Sequence, residues 1–150
     1  MRIGDLAPDF TLTDNDGRAF TLSDALRQGP VVLFFFPAAR SRGCTKESCH
    51  FRDLAADFAA QGAQRVGISM DGADRQARFA QENALGYPLL ADAGGRVASL
   101  YGVKRSVDLL RVKRVTFVIE TDRTLIDVIT SEIAMEAHAD RALTALAARG

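Results

Sequence analysis

The sequence predicts an α/β fold with a mixed central sheet, helices on both faces and an N-terminal hairpin. Residues 31–36 (VVLFFF) form an unbroken apolar run rich in β-branched and aromatic residues, which is typical of a strand buried on both faces of a sheet. Strand and helix patterns alternate through much of the chain, which favours parallel strands. A hairpin pattern follows near the end, and it makes the predicted sheet mixed.

The N-terminal hairpin is predicted from two short alternating segments. Residues 10–12 and 19–22 alternate apolar and polar side chains, and residues 14–17 (DNDG) have the composition of a turn. Ser23 is then predicted to cap a short helix at residues 24–28.

The remaining elements are predicted from periodicity and from end signals such as Gly62, which suits the residue after a helix. In order, we expect a strand at 31–36 ended by Pro37, a long helix capped by Ser41 and reaching about residue 61, and a strand at 64–70. A helix from Asp71 or Asp74 to about 85 and a short edge strand at 87–92 that tolerates Pro88 should follow. The last predicted elements are a short helix at 95–101, a hairpin of strands at 114–120 and 125–130, and a helix at 136–148.

Composition indicates an ordinary soluble globular protein that forms a single domain over residues 1–150. The chain is 47% hydrophobic and 25% charged, which suits one substantial core. Nineteen basic and nineteen acidic residues balance, so neither nucleic acid nor an anionic membrane is an expected partner. The N-terminus lacks the apolar region of a signal peptide, and two cysteines without a disulfide framework suit a reducing cytoplasm.

Cys44 lies where a thiol is expected to be reactive. With Ser41 as the N-cap, Cys44 falls in the first turn of a helix that leaves the carboxyl end of a buried strand. The positive end of the helix dipole stabilises a thiolate there, and Arg40, Arg42 and Lys46 add positive charge. The alternative is a buried structural cysteine. The polar flanking residues predict poor burial and therefore favour the reactive thiol.

Cys49 follows five residues later, a separation of about 7.5 Å along a helix and about 140° around it. A disulfide needs Cα atoms within about 7 Å, so the pair cannot be bonded while the helix is intact. The spacing also differs from the two-residue gap of thioredoxin redox motifs, and a metal site with His50 and His138 would have no familiar spacing. What remains is oxidation of one cysteine to a sulfenic acid and its condensation with the other after local unfolding. Little apolar packing is expected before Phe51, so this opening should require far less free energy than global unfolding.

Pro37, Ser41 and Cys44 resemble the Pro-x-x-x-Thr/Ser-x-x-Cys signature of peroxiredoxins, and Cys49 matches the resolving cysteine of the Q-type, atypical two-cysteine subgroup (bacterioferritin comigratory protein). The resemblance extends over almost the whole chain and implies a thioredoxin-like fold. Arg42 departs from the subgroup, which usually has proline there, so the first helical turn lacks the residue that pre-sets its backbone.

The resemblance implies a thiol-dependent peroxidase that acts on hydrogen peroxide and organic hydroperoxides without a cofactor or metal. It implies that Cys44 attacks the peroxide, Cys49 resolves the sulfenic acid, Ser41 bonds the peroxide, Pro37 shields the thiol and Arg114 stabilises the thiolate. A cation about 4 Å from a thiolate contributes roughly 4 kcal/mol at an effective dielectric near 20. A thioredoxin-like protein is the implied reductant, and the protein is expected to be a monomer or weak homodimer.

Two other functions remain open from the residues: a thiol–disulfide oxidoreductase, which the gap between the cysteines disfavours, and a non-catalytic interaction or chaperone protein of the same fold, which Arg42 alone suggests. Glu47 is expected to compensate the helix dipole, although some peroxiredoxins use a glutamate there to orient the arginine. His50 and His138 are expected at the surface or at helix ends, and Met70 is expected to pack at a strand end.

Overall fold

The computed structural model describes residues 1–106 and 111–149. The strands are β1 (Thr11–Asp14), β2 (Ala19–Thr21), β3 (Val31–Phe35), β4 (Gln64–Ser69), β5 (Leu89–Ala91), β6 (Val115–Ile119) and β7 (Leu125–Thr130). The helices are α1 (Leu22–Ala25), α2 (Arg42–Asp53), α3 (Ala55–Ala60), α4 (Ala73–Glu82), α5 (Arg96–Leu100) and α6 (Met135–Ala148), with a 3-10 turn at Ala93–Gly95.

The strands form a seven-stranded sheet in the order β2-β1-β5-β4-β3-β6-β7. β3 pairs in parallel with β4 and antiparallel with β6, and β4 pairs in parallel with β5. The N-terminal strands and β7 add antiparallel pairs at the two edges. The predicted α/β class, the mixed sheet and the N-terminal hairpin are therefore confirmed.

Side chains of the central strand alternate between two buried cores, one on each face of the sheet. Val31, Leu33 and Phe35 pack in one core, which includes residues of α1 and α5. The opposite core includes Val32, Phe34 and Phe36 with Cys44 and Phe51 of α2, Phe58 of α3, Phe79 of α4, and Ala139, Ala142 and Leu146 of α6. Helices thus cover both faces, as the uninterrupted apolar run predicts.

The prediction of an edge strand at 87–92 is wrong. β5 lies inside the sheet, between β4 and β1. The strand begins at Leu89, so Pro88 stands just before it and no N–H of Pro88 is needed in the ladder. The Leu89 N–H itself donates to Asn15 Oδ1 at 2.9 Å.

The predicted long helix from residue 42 to about 61 is two helices, because the backbone leaves the helical conformation at Leu54 (φ −96°, ψ 20°). At this break the Phe51 carbonyl accepts a hydrogen bond from the Arg65 guanidinium at 3.0 Å. A side chain from β4 thus donates a hydrogen bond to a carbonyl in the last turn of α2. Gly62 follows with a φ of 67°, as predicted for a residue that ends a helix.

Two helices start at other residues than Ser23 and Asp71 predict, because these two residues make other hydrogen bonds. α1 begins at Leu22, and the backbone N–H of Ser23 donates to Asp9 Oδ1 at 2.9 Å. α4 begins at Ala73, and the buried Asp71 carboxylate instead accepts the Ala39 N–H at 2.6 Å. This last bond ties the end of β4 to the loop that leads from β3 to α2.

No helix within the described ranges is both long enough and apolar enough to cross a membrane.

Candidate active site

Cys44 lies in the first turn of α2, beyond the carboxyl end of β3, and has no exposed surface. The expectation of poor burial is therefore wrong. The N-terminal end of α6 lies against this turn: a Cβ placed on Gly43 would be 2.9 Å from the Met135 methyl group. Residues far along the chain thus enclose a thiol whose own neighbours in sequence are polar.

Arg114 lies beside Cys44, as the peroxiredoxin resemblance implies. Its Nη2 donates to Cys44 Sγ at 3.3 Å, and its Nη1 donates to Glu47 Oε1 at 2.6 Å. Burial opposes the charge on the guanidinium, but Glu47 and Cys44 outweigh burial and raise the pKa of Arg114. Arg114 precedes β6, and the pairing of Val115 with Phe35 brings it to the end of β3.

Glu47 is fully buried three residues after Cys44, on the same side of α2. Burial raises the pKa of Glu47 to about 7, although Arg114 opposes that shift. The expectation of an acid that compensates the helix dipole is wrong, since its carboxylate faces the Arg114 guanidinium. The contact fits the alternative in which a glutamate orients the active-site arginine.

Ser41 occupies the predicted N-cap position, but its side chain does not cap the helix. The Ser41 hydroxyl instead donates to the Ala38 carbonyl at 2.8 Å, which leaves its oxygen able to accept a hydrogen bond. The first helical bond runs from the Thr45 N–H to the Ser41 carbonyl, so the amides of residues 42–44 precede the helical ladder.

Pro37 is half-buried and lies two residues after the end of β3. Arg42 is the first residue of α2 and is exposed to solvent. The residue that departs from the peroxiredoxin subgroup therefore stands at the position where proline is favoured in helices.

Cys49 is half-buried on the same helix, and its thiol donates to Asn83 Oδ1 at 3.6 Å. Both cysteines are free, and α2 is continuous between them. The Arg52 guanidinium lies nearby and donates to the Asn83 carbonyl at 2.8 Å.

The expectation of a surface position for His138 is wrong, and the sequence reasoning did not place this residue beside Glu47. His138 is fully buried: Nε2 lies 2.8 Å from the Ser131 carbonyl, Nδ1 2.7 Å from Thr116 Oγ1 and 3.6 Å from Glu47 Oε2. Its spacing could have revealed it, because His138 precedes the buried Ala142 by four residues on one face of α6. His50, by contrast, is half-buried and bonds Asp140 at 2.8 Å.

The site therefore combines an enclosed thiol, a cation beside it and helix amides that precede the helical ladder. Within the described residues, His50, Glu136 and Asp140 also bring potential metal-ligand atoms within 4.8 Å of one another. Two of the three are exposed, and exposed acidic groups often cluster without a metal. The chemistry that the Cys44 region can perform is nucleophilic attack by a thiolate stabilised by Arg114.

Comparison with known proteins gives consistent results. Residues 3–128 match the model of the AhpC/TSA family. A Mycobacterium tuberculosis protein named as a peroxiredoxin is 56% identical over 150 residues, covering 99% of this chain and 97% of that protein. Peroxiredoxin Q of Oryza sativa subsp. japonica chloroplasts is 36% identical over 143 residues, 95% of this chain and 65% of that protein. The crystal structure of peroxidoxin BcpB from M. tuberculosis superposes with a TM-score of 0.96 at 55% identity, covering 100% of this chain and 99% of that one.

Proposed function

Because this chain belongs to the AhpC/TSA family and is a Q-type peroxiredoxin with a thioredoxin-like fold, we propose that its peroxidase reaction runs through a Cys44 sulfenic acid and a Cys44–Cys49 disulfide. The protein is a thiol-dependent peroxidase. The observation that supports this pathway is the 3.3 Å contact between Arg114 Nη2 and Cys44 Sγ.

In the first step the Cys44 thiolate attacks one oxygen of the peroxide. A sulfur–oxygen bond forms as the oxygen–oxygen bond breaks, which leaves a sulfenic acid and an alkoxide or hydroxide that takes up a proton. The sulfur is oxidised by two electrons and the peroxide is reduced to water or an alcohol.

Arg114 and the start of α2 stabilise the charge in this step. The guanidinium attracts the thiolate before attack and the developing negative charge on the oxygens during it. The amides of residues 42–44, which precede the helical ladder, and the oxygen of Ser41 supply hydrogen bonds for the bound peroxide. Pro37 restricts the access of water to the thiol.

In the second step Cys49 condenses with the sulfenic acid, forming a disulfide and releasing water. The helix must open first, since the two positions stay too far apart on an intact α2. The start of α2 is packed more firmly than the sequence alone predicts, because Cys44, Glu47 and Ser48 are fully buried. Opening breaks the bonds of Glu47 with Arg114, of the Ser48 carbonyl with the Tyr87 hydroxyl, and of His50 with Asp140.

A thioredoxin-like dithiol then reduces the disulfide and returns both thiols. We place the protein in a reducing cytoplasm, where such a reductant operates, as a single-domain monomer or weak homodimer that binds neither nucleic acid nor membrane.

Peroxide consumption tests the function directly. The reduced protein should consume hydrogen peroxide and an organic hydroperoxide with thioredoxin, thioredoxin reductase and NADPH, and NADPH oxidation should stop when peroxide is omitted. A thiol–disulfide oxidoreductase would instead reduce insulin disulfides, and a binding or chaperone protein would do neither. Either result in place of peroxide consumption would overturn the proposal.

Hydrogen exchange tests the opening of α2. Samples in the dithiol and the disulfide form, each verified by mass, should differ in amide protection between residues 41 and 50, with protection lost after oxidation. The matched control is Cys49→Ser, which cannot form the disulfide and should keep its protection after exposure to one equivalent of peroxide. Equal protection in both forms of the parent protein would contradict the proposed resolution step.

A further inference from the structure

A chain of buried polar groups runs from the reactive thiol into α6. Arg114 connects Cys44 Sγ to Glu47 Oε1, and Glu47 Oε2 faces His138 Nδ1 at 3.6 Å. The Glu47 and His138 side chains have no exposed surface. The family signature read from the sequence includes neither His138 nor Thr116, which bonds the same nitrogen at 2.7 Å.

The hydrogen bonds of His138 fix which nitrogen carries its proton. Nε2 lies 2.8 Å from the Ser131 carbonyl, and a carbonyl only accepts, so Nε2 carries a hydrogen. The lone pair on Nδ1 of a neutral ring then faces the Thr116 hydroxyl and Glu47 Oε2. Nδ1 has one lone pair, so the two groups compete to donate to it, and Glu47 can do so only when it is protonated.

Glu47 Oε2 has no hydrogen-bond partner among the described residues. A buried carboxylate oxygen left unpaired is strongly unfavourable. A proton on Oε2 removes that charge, and Nδ1 of His138 is the acceptor it faces, within a small adjustment of the 3.6 Å separation.

We propose that His138 is a positioning residue for the peroxidase reaction: its Nδ1 accepts the proton of Glu47 Oε2, so that the two groups carry one proton between them and Arg114 directs its charge to the Cys44 thiolate. The inference rests on the proposed function of Cys44. When Glu47 is ionised, the Arg114 guanidinium faces two anions, the Glu47 carboxylate and the Cys44 thiolate. Its positive charge is then shared between them, and it stabilises the thiolate less. When the shared proton is present, the thiolate is the one anion that touches Arg114 in this chain of groups.

The pKa directions agree with this geometry. Burial raises the pKa of Glu47 from 4.5 to about 7, and burial lowers the pKa of His138 from 6.5. Relative to the unfolded chain, both shifts favour a proton on the Glu47 carboxyl over a proton on the His138 ring.

Charged groups from each neighbouring element act on His138. Arg114 beside β6 and Arg141 on α6 lower its pKa, while Glu132 in the segment after β7 and the bond to the Ser131 carbonyl raise it. Glu47 on α2 is the titratable group in direct line with Nδ1.

The test follows two quantities between about pH 5 and 9. One is the protonated-carboxyl infrared band that Glu47→Gln removes, and the other is the rate constant for stoichiometric peroxide reduction. Both are measured in a Cys49→Ser background, where the resolution step cannot interfere. His138→Gln keeps a hydrogen-bonding group near the Ser131 carbonyl but removes the acceptor Nδ1. Thr116→Val removes the Thr116 hydroxyl, so that Glu47 no longer competes with it for Nδ1. Asp140→Ala is the matched control, because it breaks the His50 contact between the same two helices without touching Glu47.

The two variants should move the titration in opposite directions. His138→Gln should lower the midpoint of the carboxyl band by about one pH unit, a tenfold change in the protonation constant, and should slow peroxide reduction at neutral pH about threefold to tenfold. Thr116→Val should raise the midpoint, and Asp140→Ala should leave it in place. If His138→Gln does not fold, the direction in which Thr116→Val shifts the midpoint decides between the proposed role of His138 and a packing role.

The midpoint of the carboxyl band could stay unchanged in His138→Gln and Thr116→Val, or move in the same direction in both. Either result would show that His138 is a packing residue without a role in the protonation of Glu47. If the Cys49→Ser parent itself fails to consume one equivalent of peroxide, the proposed function fails instead, and the two outcomes are therefore distinguishable.

Discussion

Cys44 and Cys49 share one helix and differ in almost everything around them. Cys44 is fully buried and accepts a hydrogen bond from Arg114 at 3.3 Å. Cys49 is half-buried, and its thiol donates to a neutral amide oxygen of Asn83. The Cys44 thiol thus lies against a cation, whereas the Cys49 thiol lies against a neutral polar group. In the proposed mechanism, α2 only sets the spacing of the two cysteines, while groups from other elements determine which is the nucleophile and which is the resolving thiol.

Each cysteine also has an arginine nearby, and the two arginines differ in burial. The Arg114 side chain is 6% exposed, whereas that of Arg52 is 36% exposed and is paired with Asp53 at 2.9 Å. Charges act more strongly where water is excluded, so Arg114 should dominate the reactivity of its thiol and Arg52 should have little influence on either.

The largest expected effect separates the two thiols themselves. Cys44→Ser should abolish peroxide reduction, because a serine hydroxyl without an adjacent base is a poor nucleophile. Cys49→Ser should consume one equivalent of peroxide at the parental rate and then fail to turn over with thioredoxin. Rapid-mixing measurement of peroxide loss, with the sulfenic acid trapped and identified by mass, checks both. Continued turnover in Cys44→Ser would end the assignment of Cys44 as the nucleophile.

The next effect separates the two arginines. Arg114→Ala should slow the oxidation of Cys44 at neutral pH by about 10²–10³-fold, the loss typical of removing one preorganised donor from a reacting centre. Arg52→Ala should leave that rate within about twofold, as expected for an exposed ion pair. Stopped-flow oxidation of the two variants in the Cys49→Ser background gives the comparison. Overlapping rates for the two variants would reduce Arg114 to a packing residue.

The smallest effect concerns stability and is specific to the Cys44 side of α2. Glu47 keeps its proton to about pH 7 in the folded protein but loses it near 4.5 when unfolded. Between these values the folded state binds more protons, so Glu47 lowers stability as pH rises, by about 3 kcal/mol at about 1.4 kcal/mol per pH unit. Glu47→Gln removes this dependence.

Relative to the parent, Glu47→Gln should therefore gain about 3 kcal/mol in free energy of unfolding as the pH rises from about 4.5 to 7. Urea unfolding of both proteins across this range gives the difference, in which titrating groups that do not interact with Glu47 cancel. A difference that stays constant with pH would contradict the buried, protonated state of Glu47.

The sequence by itself determined the features that depend on neighbours along the chain. The central strand follows from its apolar run, and the two hairpins follow from alternation around turn residues. The position of Cys44 in a first turn follows from Ser41 and the helical pattern behind it. These features are encoded within a few residues, so local rules recover them.

Tertiary structure decided everything that depends on groups distant in the sequence. The carboxylate of Glu47 meets a guanidinium 67 positions away, and the hydroxyl of Thr116 meets an imidazole 22 positions away. The break at Leu54 and the interior place of β5 likewise depend on side chains and strands from elsewhere. Periodicity reports which face of an element is apolar, but burial of a charged group is decided by the partner that packing brings to it.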